Sequence, residues 1–289
     1  MSSYALLFIF ITALLDSIGF GIIMPVIPDL LMEVSGGDLS ASARFGGLLM
    51  FCFAITQFIF SPVIGNLSDR FGRRPVLLFS LFVGGVNYLI MGFTASLALL
   101  FIGRIISGIG AATLSTCNAY ITDVSPEDKQ ARNFGLMGAA FDMGFIIGPV
   151  IGGFLGEYGS RMPFFAAGTL SFANRVFGYL VLQESLAPAL RRPFNLARAN
   201  PVGTLLQLKA FPIGLGIISV SFVYNLGHHV LPSIWRFFTL EKFDWSPREI
   251  GYSLGTTPHR TACGGTRDAG HCLQSSQRVT TRRVAGWPV

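Results

Sequence analysis

Gly65-Asn66-Leu67-Ser68-Asp69-Arg70-Phe71-Gly72-Arg73-Arg74 is the stretch whose reading decides the fold. It sets an acid among three arginines and lies between two long apolar runs, 46–66 and 76–95. Glycines at its two ends permit a tight turn and a close approach of the flanking segments. A bilayer span needs about 20 mostly apolar residues, so a compact charged turn between two such runs reads as a loop joining two spans.

Four more runs flank this pair, at 4–28, 97–121, 133–156 and 163–182, and a seventh lies at 210–232. In lipid every backbone polar group must be satisfied internally, so the runs are expected to be helices. Composition agrees: 51% of residues are hydrophobic and 12% charged, about half the charged share of a soluble domain. The first run lacks a basic leader, carries Asp16 near its middle and ends in Pro25 and Pro28, which argues against a signal peptide. The fold class expected is an all-α membrane protein. It has a six-helix amino-terminal bundle over 1–182, a cytoplasmic linker over 183–209, one further span and the start of an eighth helix over 210–255, and an unstructured polar tail over 256–289.

Charge placement orients the spans and removes one function class. With the amino terminus taken as cytoplasmic, inner loops carry Arg70, Arg73, Arg74, Lys129, Arg132, Arg191, Arg192, Arg198 and Lys209, and outer loops before the seventh run carry only Arg44 and Arg161. That asymmetry is the positive-inside pattern. Of the net charge of +6, the tail supplies +4, from Arg260, Arg267, Arg278, Arg282 and Arg283 against Asp268. The remaining +2 makes no basic face, so no nucleic-acid partner is expected. Cys52 and Cys117 sit in apolar runs and read as packing residues; Cys263 and Cys272 with His259 and His271 are too loosely spaced to be a metal set. No nucleophile–base set is apparent, and an enzyme is not expected.

The string G-x-L-x-D-R-x-G-R-R resembles the hallmark loop motif of the major facilitator superfamily. The resemblance implies that Gly65, Asp69, Arg70, Gly72, Arg73 and Arg74 form a cytoplasmic gate loop, with Asp123 joining its charge relay. Two triplets of spans with opposite topology fit the nested inverted repeats of such transporters. In the fourth run, Arg104-Ile-Ile-Ser-Gly108-Ile-Gly110-Ala-Ala112 resembles a family motif tied to proton coupling. An arginine in a span is costly and needs a partner or water, with snorkelling or packing as the alternative. In the fifth run, Gly135, Gly144, Gly148, Pro149, Gly152 and Gly153 match the glycine motif G-x8-G-x3-G-P-x2-G-G of the family's antiporters. Physically, those glycines open a smooth face for another helix, and Pro149 kinks the span.

The first run, Asp16-Ser-Ile-Gly-Phe-Gly-Ile-Ile-Met-Pro25-Val-Ile-Pro28, resembles the first helix of tetracycline-type efflux pumps. Asp16 is the first choice for a proton- or substrate-linked site, a structural hydrogen bond being the alternative. The resemblance covers about 4–255, including Glu184-Ser185-Leu186, Arg191-Arg192-Pro193-Phe194 and Ala199-Asn200-Pro201. It departs at Val86-Asn87-Tyr88, where those pumps carry an acid in place of Asn87, and at Gln183, where a proline is expected. The function implied is proton-coupled efflux of drug-like small molecules across a bacterial-type inner membrane. It needs no cofactor, draws on the proton gradient and takes the lipid bilayer and a small-molecule substrate as partners. The rival is a non-transporting remnant or a partner-binding half-transporter.

Two charges fall outside the resemblance. Asp142 and Arg175 stand at matching depths in the fifth and sixth runs and are expected to form an ion pair. His228 and His229 read as polar helix-end residues, one of them a candidate for titration at the outer mouth. After Gly255 the hydropathic period stops. The tail reads as an out-of-frame or foreign extension in place of later helices, or else as a natural polar tail, and a cavity with one wall would impair transport.

Overall fold

The computed structural model describes residues 3–111, 113–194, 200 and 212–256, and all regular structure among them is helical. The first span is α1 (Ser3–Ile23), a short 3-10 turn at Met24–Val26 and α2 (Ile27–Ser35). It therefore continues past Pro28 instead of ending there: the two prolines interrupt the α-helix for one turn, and Pro28 then occupies the first turn of α2, where its missing N–H costs nothing. The second span is α3 (Leu39–Phe71), the third α4 (Arg73–Phe93). The fourth is cut into α5 (Leu97–Gly110) and α6 (Thr113–Val124). The fifth is α7 (Glu127–Gly156), unbroken through Pro149, and the sixth is α8 (Met162–Val181). The seventh, α9, runs over Pro212–Phe243, and α10 over Pro247–Thr256.

Five of these stretches are long and apolar enough to cross a membrane. The sixth expected span, α8, is long enough at 20 residues, but Asn174 and Arg175 dilute its apolar character. Asn174 is fully buried and donates its amide to the Thr12 carbonyl of α1 at 3.0 Å, so it faces the bundle interior, with its own Oδ1 unpartnered. The seventh helix extends well beyond the expected boundary at 232. Nothing in Ser233-Ile-Trp-Arg-Phe-Phe-Thr-Leu-Glu-Lys-Phe243 breaks a helix, and the chain turns only at Asp244, whose positive φ of 51° an aspartate tolerates. The linker beyond 194 apart from Asn200, the tail from 257 with its cysteines and histidines, and the side chains of His228 and His229 lie outside the described residues.

Burial of apolar groups supplies little drive for helix association in lipid, so close packing must hold the bundle. Helix α1 is its axis, with α7 on one side and α8 on another. Two apolar clusters fill the interior: Ile22, Val26, Leu30, Leu49, Leu100 and Phe164 toward one end, and Phe8, Ile9, Leu77, Tyr120, Ile121 and Met137 toward the other. The end holding Gly72 is called the gate-loop end below; the opposite end, where α2 stops at Gly36 and α9 turns into α10, is the far end.

Candidate functional site

The gate-loop end collects its charge on Arg73. Its Nη1 donates to Asp69 Oδ1 at 2.6 Å and to Ser68 Oγ at 2.8 Å, while Nε reaches Asp123 Oδ2 at 3.1 Å. The end of α3, the start of α4 and the end of α6 are thus joined through one guanidinium, whose planar fork suits two carboxylates at once. Arg74 donates to the Tyr179 carbonyl at 2.6 Å, which adds α8. Arg70 takes no part: it is exposed and lies over the Phe71 ring, 5.1 Å from its centroid.

Sequence reasoning missed the acid beneath this cluster. Glu184, just after α8, accepts from the backbone N–H of Arg73 at 2.8 Å, of Arg74 at 3.3 Å and of Leu186 at 3.2 Å. A helix leaves its first N–H groups unpaired, and here a carboxylate from a distant segment caps α4. Gly72, at φ 106°, has its missing Cβ where the Glu184 carboxylate sits. Next in the chain, Ser185 donates to Asp123 at 3.0 Å, and farther on the Arg192 N–H donates to the Asp69 carbonyl at 3.1 Å. The available signal was an acid directly following an apolar span. Gly65, expected to make a turn, instead lies inside α3, where an added Cβ would meet nothing within 4 Å; the turn belongs to Gly72 alone.

A second cluster lies within the bundle. Asp16 of α1 lies beside Thr113, the first residue of α6, with Tyr88 of α4 close enough to feel its charge. The fourth span is interrupted at Ala111, and beyond this break α6 carries Thr113 next to the carboxylate. Gln57 of α3 donates to the Ala111 carbonyl at 3.2 Å and so serves an acceptor the break would otherwise strand. Neither Thr113 nor Gln57 was singled out from sequence, although a glutamine in an apolar run was a visible cue. Arg104 is buried, its guanidinium 5.9 Å from the Phe53 ring centroid, its Nε without a protein acceptor. Asn87 is buried as well and donates to Met91 Sδ at 3.8 Å, leaving its carbonyl oxygen unpartnered. Arg104 and Tyr88 interact electrostatically, which places Asp16, Tyr88 and Arg104 around one region.

The glycine motif divides between two faces of α7. A Cβ on Gly144 would come within 2.6 Å of Ser17 Cβ, one on Gly148 within 2.7 Å of Gly21 Cα, and one on Gly152 would strike the Ile22 carbonyl. These three let α1 and α7 meet backbone to backbone, and the Ser17 hydroxyl seals the contact on the Phe141 carbonyl at 2.7 Å. Gly153 faces the other way, with Pro247 and Gly251 of α10 against it, and the Pro149 carbonyl abuts Gly251. Gly135 packs against nothing, which separates it from the other motif glycines.

The expected pair of Asp142 with Arg175 is not formed. Both side chains are exposed, and the Arg175 guanidinium lies over the Phe82 ring, 4.5 Å from its centroid. Depth along the helices was matched, but neighbourhood was not. Helices α7 and α8 are consecutive in sequence, yet α7 packs chiefly on α1 and α10 and α8 on α4 and α1, and the two touch each other little.

Residues 9–258 match the Major Facilitator Superfamily. The chain is 41% identical over 253 residues to the class C tetracycline resistance protein of Escherichia coli, which covers 88% of this chain and 63% of that protein. It is 38% identical over 255 residues to the class H protein of Pasteurella multocida, covering 86% and 62% respectively. The chain thus spans about three fifths of the length of these curated relatives. Its fold matches the crystal structure of the human organic anion transporter MFSD10 (TETRAN) with a TM-score of 0.69 at 20% identity, covering 92% of this chain and 72% of that one.

Proposed function

The chain belongs to the Major Facilitator Superfamily, and from that premise we propose that it serves proton-coupled efflux of drug-like small molecules across a cytoplasmic membrane. The observation that carries the reading is the Asp16 carboxyl set beside Thr113 of α6, with Tyr88 and the buried Arg104 around it. Discontinuous helices whose ends point at a charged group are the usual construction of transporter ion and substrate sites. In this reading Asp16 takes up and releases the proton, and Arg104 and Asn87 flank the path of the proton or substrate. The Arg73 cluster holds the gate-loop end of the first six spans as one moving body.

The excess of Lys and Arg at the gate-loop end supports a cytoplasmic amino terminus. The glycine face of α7 supports antiport over symport, through its resemblance to the antiporter motif. An amide at Asn87 argues against tetracycline itself as the preferred cargo, so the substrate class is the broader one of amphipathic drug-like molecules.

Everted vesicles containing this chain test the reading. Imposing an acid-inside gradient should drive uptake of a fluorescent drug-like dye into the vesicles, and Asp16→Asn should abolish that uptake while leaving the protein folded and inserted. Gradient-driven uptake unchanged in Asp16→Asn would overturn the assignment of Asp16. No uptake at all would overturn the transport reading and leave a membrane-embedded unit that exports nothing by itself.

A further inference from the structure

The ion pairs among the described residues fall into two sets. Arg73–Asp69, Arg73–Asp123 and Arg161–Glu33 lie within the first six spans. Arg236–Asp29 and Arg248–Glu157 cross from those spans to α9 and α10, and both crossings are at the far end. The Arg248 pair is long, at 3.8 Å, and its partners are well exposed, so it contributes little. The Arg236 pair is different. Its Nη2 meets Asp29 Oδ2 at 2.5 Å with the arginine side chain 3% exposed. On either side, the Phe237 ring occupies the notch left by Gly46 of α3, and Thr239 is fully buried.

We propose that Asp29 and Arg236 form a latch that holds the far end closed, joining the first six spans to the seventh. Removing one partner of a buried pair leaves an uncompensated charge, so the latch is strong while both charges stay. It is also built to release. Arg236 Nε and Nη1 have no protein acceptor, so the pair is under-satisfied in its closed state, and admitting water would supply what the protein does not. Opening the far end requires Asp29 and Arg236 to part. The consequence for transport rests on the efflux reading above; the latch itself does not.

Hydrogen exchange on the full chain in lipid nanodiscs tests the latch without any transport measurement. Asp29→Asn and Arg236→Gln should each speed exchange of the amides in 237–243 and in α2 by about tenfold or more. Exchange in 73–76, at the gate-loop end, should stay as it is. The charge-reversed double variant Asp29→Arg with Arg236→Asp should recover most of the lost protection. Three results would overturn the proposal: single variants that leave 237–243 unchanged, single variants that loosen both ends alike, or a reversed pair that exchanges as fast as the singles. An inactive vesicle assay would refute the transport reading and leave this test standing.

Discussion

Replacing Glu184 should loosen the start of α4 by an amount that can be worked out bond by bond. Glu184→Ala removes the acceptor of three backbone N–H groups, those of Arg73, Arg74 and Leu186. A hydrogen bond to a charged group is worth about 1.5–3 kcal/mol when well made and shielded. The Arg74 bond is long at 3.3 Å and the carboxylate is only half-buried, so each should count toward or below the low end. Loss of an N-cap typically costs about 1 kcal/mol, and loss of a negative charge at a helix start about 0.3–1 kcal/mol. These overlap with the bond energies and do not add to them, which leaves about 2 kcal/mol in total. Since about 1.4 kcal/mol is a factor of ten, exchange at the Arg73 and Arg74 amides should accelerate about 30-fold.

Gly72 makes the prediction sharper. A Cβ there would stand on the Glu184 carboxylate, so Gly72→Ala should expel the side chain and reproduce the effect of Glu184→Ala. It should also add strain, because φ at this position is 106°. The double variant should then be no worse than Gly72→Ala alone, a coupling equal to nearly the whole effect of Glu184→Ala. Exchange mass spectrometry on the four proteins in nanodiscs reads all of this. Strictly additive effects, or unchanged protection at residues 73 and 74 in Glu184→Ala, would refute the claim that this carboxylate caps α4.

Three further outcomes follow from the same geometry. Arg73→Lys should keep the charge yet lose one of the two carboxylates, because an ammonium cannot span Asp69 and Asp123 as a guanidinium does; a crosslink reporter between α4 and α6 should show the separation. Gly152→Leu should prevent α1 and α7 from seating, costing more than the usual overpacking range of about 1–3 kcal/mol, and folded protein extracted from membranes should fall sharply. Arg175→Gln and Asp142→Asn should each shift thermal unfolding little, within the roughly 0.5–1 kcal/mol of an exposed cation–π contact, and a double-mutant cycle between them should show no coupling.

What the sequence made legible was whatever local chemistry determines. Apolar runs of the right length located the spans, and the gate-loop string located a charged turn, because lipid and Coulomb forces act on composition directly. The Asp142–Arg175 expectation failed for a complementary reason: depth is a one-dimensional quantity that sequence supplies, whereas which helices touch depends on how the glycine faces seat α7 against α1. Glu184 was noted only as part of the resemblance and without a role, and Gln57 not at all, because their partners are backbone groups, the N–H of residues 73 and 74 and the carbonyl of Ala111. No residue type marks an unpaired backbone group. The interruption at Ala111 was likewise invisible in a run apolar enough to be read as one helix.

The two faces of α7 carry different obligations. Toward α1 the contact is backbone on backbone at Gly144, Gly148 and Gly152, and it leaves no room for sliding without collision. Toward α10 only the far-end part of the face is covered, at Pro149, Gly153 and Gly156. Residues 142, 149 and 153 repeat at close to whole helical turns, so Asp142 continues that second stripe toward the gate-loop end. There the stripe is uncovered by the described residues: a Cβ on Gly135 or Gly138 would meet nothing within 4 Å, and Asp142 is exposed. An acid on a span is costly unless it faces protein or water, which makes lipid the wrong neighbour for this stretch. On its opposite side α7 is locked to α1 by backbone contact, so its two faces are held very differently. The Asp29–Arg236 pair joins α2 to α9 at the same end of the bundle, so α9 and α10 are tied to the first six spans there by two separate contacts, one of charge and one of glycine packing.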